Sequence, residues 1–404
     1  MNLQTLPIFL AFFLMGLADA MGPNADAIKK AYSLNNVNST LVSFSVFIAF
    51  AVCSVPGGLL SARIGKKKLL LLGLGINCAA LVIPSLMVPS FPVLLGCIFL
   101  LGIGTTFLQV AGNPIMRDVS PPGAYSRNLA FAQGIKGIGS TASTYIVLSL
   151  AALAFFKSMD WRAAFPVFCI LMFLALVTVA MLDVKETKAA EPPSLGSSLA
   201  LLGQPVFALA VLGIFLYVGA EQCLSRFLKP TLVNVLGMDD KAANAFGPTL
   251  FLLAITVGRL VAGSVKVSAR TFFRLSAVLG LAGTGLLMTG DKTMSLAGVV
   301  IAGLGFANVW PMLFSITVEE KPEKSNELSG LMCMAISGGA LVPLLMGAIE
   351  DRLGPPTNGM YNWFGSPKLQ ALSFVVPAVC FVYLLLLSFM GGKKPAPAPA
   401  APQS

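Results

Sequence analysis

The sequence predicts an all-α membrane protein in which twelve transmembrane helices form two pseudo-symmetric six-helix bundles. Of its 404 residues, 56% are hydrophobic and only 11% are charged, and the mean hydropathy is +0.84. A soluble domain carries about 25% charged residues, so this chain cannot cover a water-facing surface. Apolar segments long enough for a membrane span, about 20 residues, recur along the chain. None of them alternates with period two, as the strands of a membrane barrel would.

Twelve apolar segments account for most of the chain. In order, they are residues 5–23, 40–62, 68–88, 91–116, 128–153, 162–182, 205–228, 243–265, 271–289, 294–318, 327–349 and 370–390. The first could be mistaken for a signal peptide. It lacks a basic leading region and a small-residue cleavage site, and it contains Asp19, so we expect a retained first helix.

The net charge of +10 reflects basic loops and does not indicate a nucleic-acid partner. With the N-terminus in the cytoplasm, the loops on that side carry more Lys and Arg than those on the opposite side. This bias predicts a multi-pass protein of the cytoplasmic (inner) membrane with both termini in the cytoplasm. We expect a monomer in contact with the lipid bilayer.

A polar stretch at residues 183–198, DVKETKAAEPPSLGSS, divides six segments from six. The predicted organisation is therefore an N-terminal bundle, a cytoplasmic linker, a C-terminal bundle and a disordered Pro/Ala-rich tail, at residues 1–183, 184–200, 201–391 and 392–404. The halves also match in detail. When Pro114 is aligned with Pro311, Lys136 lies opposite Ser337. Paired halves with a midplane site between them are typical of transporters whose two bundles rock against each other.

The loop between the second and third segments carries a family motif. Its sequence, GGLLSARIGKKK at residues 57–68, resembles the loop motif Gly-x-x-x-Asp-Arg-x-Gly-Arg-Arg of the major facilitator superfamily. Gly58, Arg63 and Gly65 match and are candidate gating residues. Ala62 stands where the family has Asp, so the usual contact made by that Asp is missing in this half.

Longer stretches resemble one branch, the fucose–proton symporter family. They are FFLMGLADA (12–20), QVAGNPIM (109–116), FLYVGAE (215–221) and WPMLFSITV with the segment that follows it (310–351). The resemblance implies a sugar symporter coupled to a proton or, in some members, to a sodium ion. Two carboxylate positions of the family hold Pro23 and Gln109 here, and Lys136 replaces an Asn linked to sugar recognition. These departures argue against fucose itself as the substrate and against the usual proton route.

Four ionisable residues lie well within the predicted spans: Asp19, Lys136, Glu221 and Arg226. Lys136 is about 13.5 Å along its helix from Arg127 at 1.5 Å per residue. A cation at that depth costs about 2.5–3.5 kcal/mol. Either Lys136 pairs with Asp19 or Glu221, or it faces a cavity and meets the substrate.

Three of the other charged residues, Asp19, Glu221 and Arg226, have two possible interpretations each. Asp19 and Glu221 are candidate coupling or charge-pair residues, since burial favours a protonated carboxyl group, but either could be structural. Arg226 is a candidate second cation, or it anchors at the membrane interface. We expect Arg259, near a helix end, to anchor at the cytoplasmic surface.

Polar and aromatic side chains on these helices complete the candidate substrate site. Gln133, Lys136, Ser140 and Ser143 share one face of the fifth segment, and Gln109 and Asn113 share a face of the fourth. Amides can both donate to and accept from sugar hydroxyls. Asn308, Trp310 and Tyr217 are further candidates. For all of these residues, packing between helices is the alternative interpretation.

Several chemistries are excluded or disfavoured. The chain has no histidine, so it cannot build a Ser-His-Asp triad, and its seven cysteines form no C-x-x-C pair that would indicate a metal site. A nucleotide-binding loop is also missing. We therefore expect no cofactor, no metal and no enzymatic activity. The leading prediction is a cation-coupled secondary transporter of a sugar working by alternating access. The alternatives are a carrier of acidic sugars or other small carboxylates that uses Lys136 as counter-charge and, less favoured, a membrane enzyme or a sensor.

Overall fold

The computed structural model describes residues 6–18, 28–34, 36–152, 156, 159–187, 193–353 and 367–390. In these ranges the chain forms twelve main helices. We number them α1 Leu6–Ala18, α2 Asn36–Ile64, α3 Lys66–Leu86, α4 Phe91–Asp118, α5 Tyr125–Ala152, α6 Ala164–Ala180, α7 Pro205–Asn234, α8 Asp240–Ser264, α9 Ala269–Leu287, α10 Lys292–Glu320, α11 Pro322–Glu350 and α12 Ala371–Phe389.

Most of these helices can cross a membrane on length and composition alone. Eight of them qualify within the described ranges, namely α2, α3, α4, α7, α8, α10, α11 and α12. The described parts of α1 and α6 are shorter apolar helices. The other two, α5 and α9, carry charges: Lys136 lies within α5, and Arg270 and Arg274 lie near the start of α9. Helices suit this setting because they pair their own backbone groups where no water is present. The predicted fold class is confirmed.

Several helices extend beyond the apolar segments that predicted them. Helix α2 begins at Asn36 rather than at residue 40, and α7 runs to Asn234 rather than to residue 228. A hydrogen-bonded helix can continue past the hydrocarbon layer into its polar surroundings, so hydropathy alone marks its ends too early. The segment 19–27, on which the end of the predicted first span falls, lies outside the described residues.

The packing of the helices shows that the two halves are related by pseudo-symmetry. In the N-terminal half, α1 packs on α5, α2 on α4, and α3 on both α4 and α6. Six helices later the same pattern recurs, with α7 on α11, α8 on α10, and α9 on both α10 and α12. Across the interface, α2 packs on α11 and α5 packs on α8. These two pairings exchange when each helix number is shifted by six, so the interface is pseudo-symmetric as well.

Glycines let the helices of opposite halves approach closely, as α5 illustrates. A methyl group on Gly134 would lie 2.8 Å from the side chain of Leu260 in α8, and one on Gly137 would lie 2.5 Å from the hydroxyl of Thr256. On another side of α5, Gly139 meets the backbone of Phe13 in α1. These contacts place α5 between α1 and the opposite half.

The segment between the halves is partly described. Residues 182–187 have no regular structure, and residues 195–200 form a short helix that Ser194 and Ser197 cap reciprocally. The domain boundaries at residues 183, 200 and 391 stay predictions. The predicted disordered tail, residues 392–404, lies outside the described residues.

Candidate functional site

Three amide side chains meet where α4 and α5 face the opposite half. The Gln133 amide nitrogen donates to the Asn113 side-chain oxygen at 3.1 Å. The Asn113 nitrogen donates to the Gln109 backbone oxygen at 2.9 Å and lies 3.5 Å from the Gln109 side-chain oxygen. All three side chains are buried. We call Gln109, Asn113 and Gln133 the amide cluster. The structure thus brings together residues that the sequence placed on two separate helices.

Lys136 lies one turn beyond Gln133 on α5 and is half-buried. Its ammonium group is close enough to the Cys333 thiol of α11 to interact with it electrostatically, which places this cation at the interface between the halves. Asp19, one of its predicted partners, lies outside the described residues, so that ion pair stays a prediction. The hydroxyls of Ser140 and Ser143 donate to backbone oxygens of α5 itself, at 3.2 and 2.6 Å.

On the C-terminal side of the interface, Arg259 of α8 contacts several polar groups. Its Nη2 donates to the Tyr217 hydroxyl at 3.2 Å and lies 3.9 Å from a carboxylate oxygen of Glu221. The Tyr217 hydroxyl also interacts with the Glu221 side chain, one turn along α7. Across the interface, Nη1 lies 3.5 Å from the Gln133 backbone oxygen. We call Arg259, Tyr217 and Glu221 the arginine cluster; it adjoins the amide cluster.

The expectation that Arg259 anchors at the membrane surface was wrong. Arg259 is 8% exposed and lies more than one turn inside the end of α8 at Ser264. Two groups explain its inward position. Glu221 supplies a counter-charge, and the Ala307 backbone oxygen accepts from its Nε at 3.0 Å. That oxygen needs an outside donor because Pro311, four residues later, has no N–H.

Helix α10 is interrupted at this point. Asn308 has non-helical backbone angles (φ −111°, ψ 2°) and separates the helical stretches Lys292–Ala307 and Val309–Glu320. Its side-chain nitrogen donates to the Gly258 oxygen of α8 at 3.1 Å. Its side-chain oxygen and the Trp310 indole nitrogen are buried without a hydrogen-bond partner among the described residues. Both groups could bind ligand hydroxyls.

Arg226, the remaining predicted charge, lies elsewhere. It is exposed on α7, and five residues from Glu221 it projects from a different side of the helix. The structure therefore does not bring Arg226 to the arginine cluster, and its position is that of a residue at the outer surface of the bundle.

The candidate gating residues lie at the end of the molecule that carries the α2–α3 loop, which we call the motif end. Here α2 and α11 touch through small residues. A methyl group on Gly58 would lie 2.6 Å from the Asn326 backbone oxygen, and one on Gly330 would lie 2.9 Å from that of Ser54. The Ser61 hydroxyl bonds the Asn326 side chain at 3.3 Å. These contacts close the motif end between the halves.

The α2–α3 loop is held in place mainly by residues 182–187, which follow α6. The Glu186 carboxylate accepts from the backbone nitrogens of Lys66 and Lys67 at 2.6 and 2.9 Å, where an anion is favoured by the first turn of α3. The Lys66 ammonium forms a buried ion pair with Asp118 at 2.5 Å. Arg63, by contrast, is exposed. Glu186 and Asp118 thus supply carboxylates to a loop whose motif position holds Ala62.

We expect the substitution Gly65→Ala to destabilise the protein by about 1–3 kcal/mol. Gly65 has φ 97°, and an added methyl group would lie 2.9 Å from the Glu186 carboxylate. The midpoint of thermal unfolding in detergent should fall. Gly75→Ala, in the interior of α3 with only an ordinary contact at 3.8 Å, is the matched control. Equal midpoints for the two variants would contradict the strained geometry.

Comparison with known sequences identifies the family and its relatives. The sequence model of the Major Facilitator Superfamily matches residues 8–343. A glucose/galactose transporter of Brucella abortus biovar 1 (strain 9-941) is 29% identical over 411 residues, which cover 96% of this chain and 93% of that protein. The L-fucose-proton symporter of Escherichia coli (strain K12) is 22% identical over 93% of this chain and 90% of its own. These relatives are transporters rather than enzymes.

Solved structures support the architecture. A Major Facilitator Superfamily transporter, FucP, crystallised in the outward conformation, superposes with a TM-score of 0.81 at 17% identity, over 97% of this chain and 99% of its own. The proton:xylose symporter XylE superposes with a TM-score of 0.71 at 15% identity, over 95% and 94%. The resemblance predicted from the sequence motifs is confirmed: the chain is a multi-pass membrane protein that belongs to the Major Facilitator Superfamily.

Proposed function

We propose that the protein is a secondary active transporter that carries a neutral hexose across the cytoplasmic (inner) membrane by alternating access, in symport with a proton or a sodium ion. The observation that carries this proposal is the meeting of the amide cluster and the arginine cluster between the two halves. The relatives support the substrate class, since they are named as glucose/galactose transporters and L-fucose-proton symporters.

The chemistry of the site suits a polyhydroxylated, uncharged ligand. Amide groups both donate and accept, so Gln109, Asn113 and Gln133 can exchange their mutual hydrogen bonds for bonds to hydroxyls. On the other side of the interface, the unpartnered Asn308 oxygen and Trp310 indole nitrogen supply one acceptor and one donor. The indole ring can also pack against the C–H face of a sugar.

An acidic sugar is the rival substrate, because Lys136 offers a cation. The charge of Arg259 does not strengthen this rival, since Glu221 already opposes it at 3.9 Å. The neutral sugar is therefore preferred. A counterflow assay in proteoliposomes separates the two, with labelled D-glucose, D-galactose, L-fucose and D-glucuronate as probes. Uptake of at least one neutral hexose supports the proposal; uptake of glucuronate alone, or of none of the four, contradicts it.

Glu221 is the proposed coupling carboxylate within the described part of the chain. The two carboxylate positions of the fucose–proton symporters hold Pro23 and Gln109 here. Glu221 lies at the interface and touches both Tyr217 and Arg259. A carboxylate whose environment changes as the halves move can bind a cation on one side and release it on the other.

We expect Glu221→Gln to retain sugar exchange but to lose accumulation against a gradient, because the amide keeps the hydrogen bonds and cannot carry a cation. Accumulation is measured in proteoliposomes under an imposed proton or sodium gradient. Glu320→Gln, at an exposed ion pair with Arg270, is the control and should accumulate sugar normally. If Glu221→Gln still concentrates sugar and Asp19→Asn does not, the coupling site is Asp19.

The excess of Lys and Arg in one set of loops supports cytoplasmic termini and a cytoplasmic motif end. The closure of α2 on α11 at the motif end then corresponds to a form that opens to the opposite side. The site lies within one chain, which is consistent with a monomeric transporter.

A further inference from the structure

Two prolines at matching positions of the halves each leave one backbone oxygen without its helical donor. Pro114 in α4 and Pro311 in α10 align in the pseudo-symmetric repeat. Because proline has no N–H, the carbonyl four residues earlier loses its i→i+4 hydrogen bond. The affected carbonyls are those of Val110 and Ala307. A buried carbonyl without a donor is costly, so each needs a partner from another helix.

The partners of the two carbonyls differ in one respect that matters for motion. Ala307 is held by Arg259, 3.0 Å away, which belongs to the same half. Val110 is held by the hydroxyl of Ser329 at 2.7 Å, and Ser329 belongs to α11 of the opposite half. Both Val110 and Ser329 are completely buried. The side-chain donor to one proline-freed carbonyl thus comes from its own bundle, whereas the side-chain donor to the other comes from the opposite bundle.

The bond to Val110 connects the motif end to the amide cluster. Ser329 is next to Gly330, at which α2 and α11 make their close contact. Val110 lies one turn before Pro114, and Asn113 lies between them at the point where the helical ladder of α4 is weakened. The side chain of Cys333, one turn after Ser329, interacts with both Ser329 and Asn113. Separation of the halves would break the contact between α2 and α11, the bond from Ser329 to Val110 and the interaction of Cys333 with Asn113.

We propose that Ser329 is a positioning residue: its hydrogen bond to the Val110 carbonyl holds the motif end closed and holds α4 at Asn113 in its binding geometry. When the bundles part at the motif end, the carbonyl exchanges Ser329 for water, and Asn113 is freed from the arrangement that binds sugar. Release of the sugar is thereby tied to opening. This inference rests on the proposed alternating access, although its first test does not require transport.

We call the hydrogen bond from Ser329 to the Val110 carbonyl the latch. Hydrogen–deuterium exchange of the purified full-length protein tests it. In Ser329→Ala, exchange of peptides from the motif ends of α2 and α11 should become about threefold to tenfold faster, the value of one net hydrogen bond. Ser329→Thr retains the hydroxyl and should exchange like the wild type. Ser315→Ala is the matched control, because Ser315 is equally buried but its hydroxyl donates within its own helix, to the Met312 oxygen at 3.0 Å.

A double-mutant cycle decides whether the effect passes through Val110. Pro114→Ala supplies a backbone N–H at position 114 that can donate to the Val110 carbonyl, so Ser329→Ala should have no further effect on exchange in that background. Pro311→Ala restores the donor for Ala307 instead, and there the effect of Ser329→Ala should persist. If Ser329→Ala folds poorly alone, Pro114→Ala should restore its folding.

The proposal is overturned by any of three results. These are unchanged exchange in Ser329→Ala, an effect of equal size with and without Pro114→Ala, or a folding defect that Pro114→Ala does not relieve. The outcome is independent of the substrate assignment, because exchange is measured without sugar. A transporter that moves none of the tested sugars would contradict the proposed function and leave the latch measurement intact.

Discussion

Arg259→Ala is expected to abolish sugar transport and to lower the free energy of unfolding by about 1.5–3 kcal/mol, the value of a hydrogen bond to a charged group. The change removes a guanidinium group that contacts two helices of its own half, α7 and α10. Glu221 would lose its counter-charge, and the Ala307 carbonyl would lose the bond it accepts from the guanidinium. The contact with the Gln133 backbone across the interface would also be lost.

The measurements are uptake by proteoliposomes and chemical denaturation in detergent. Arg274→Ala is the matched control, since Arg274 is exposed on α9, where it contacts Ser388 and the ring of Phe389; it should change stability by less than about 1 kcal/mol. Arg259→Lys should remain defective, because an ammonium group cannot reproduce the forked geometry. In Arg259→Ala with Glu221→Gln, part of the stability should return, because no carboxylate is then left unpaired. Wild-type uptake by Arg259→Ala would refute the central role of the arginine cluster.

The second large effect is expected at Lys136. If the substrate is a neutral sugar, Lys136→Gln should weaken the binding of all ligands by about 1.5–3 kcal/mol, the value of a hydrogen bond to a charged group. If the substrate is acidic, the affinity for the acid should collapse while neutral analogues lose little, because only the acid needs the counter-charge.

Binding of matched neutral and acidic sugars, such as D-glucose and D-glucuronate, is measured by calorimetry on the purified protein. Lys292→Gln, at the exposed start of α10, controls for the loss of one positive charge. A loss confined to the acid would contradict the neutral-sugar assignment, and equal losses for both would exclude the acidic one. Lys136→Asn, the residue of the related symporters, should bind sugar if the lysine is a polar contact only.

The fold was accessible from the sequence because a membrane restricts the choice of structure. Apolar segments of sufficient length must be helices in a bilayer, and the polar stretch at residues 183–198 marked the seam between the halves. Part of the amide cluster could also be predicted from the sequence. Helical spacing placed Gln109 with Asn113 and Gln133 with Lys136, and the antiparallel packing of α4 and α5 then brought the two pairs together.

Arg259 could not be placed by the same reasoning. Because Arg259 lies near the end of α8 in the sequence, a surface anchor was expected. Its actual position depends on two residues far away in the sequence, Glu221 and Pro311. A signal was present, since Pro311 predicts a carbonyl that needs a donor and Glu221 predicts a buried acid that needs a cation. Neither signal identifies which helix supplies the partner. Tertiary packing decides that, and the partnership of Ser329 with Val110 is hidden for the same reason.

The most direct test of the central claim is a structure of the full-length protein with D-galactose bound, determined by electron cryomicroscopy. The account predicts that the sugar lies between the halves, within hydrogen-bond distance of Gln133 and Asn113 on one side and of the Trp310 indole nitrogen on the other. Sugar density at the motif end, or outside the interface of the two bundles, would contradict it.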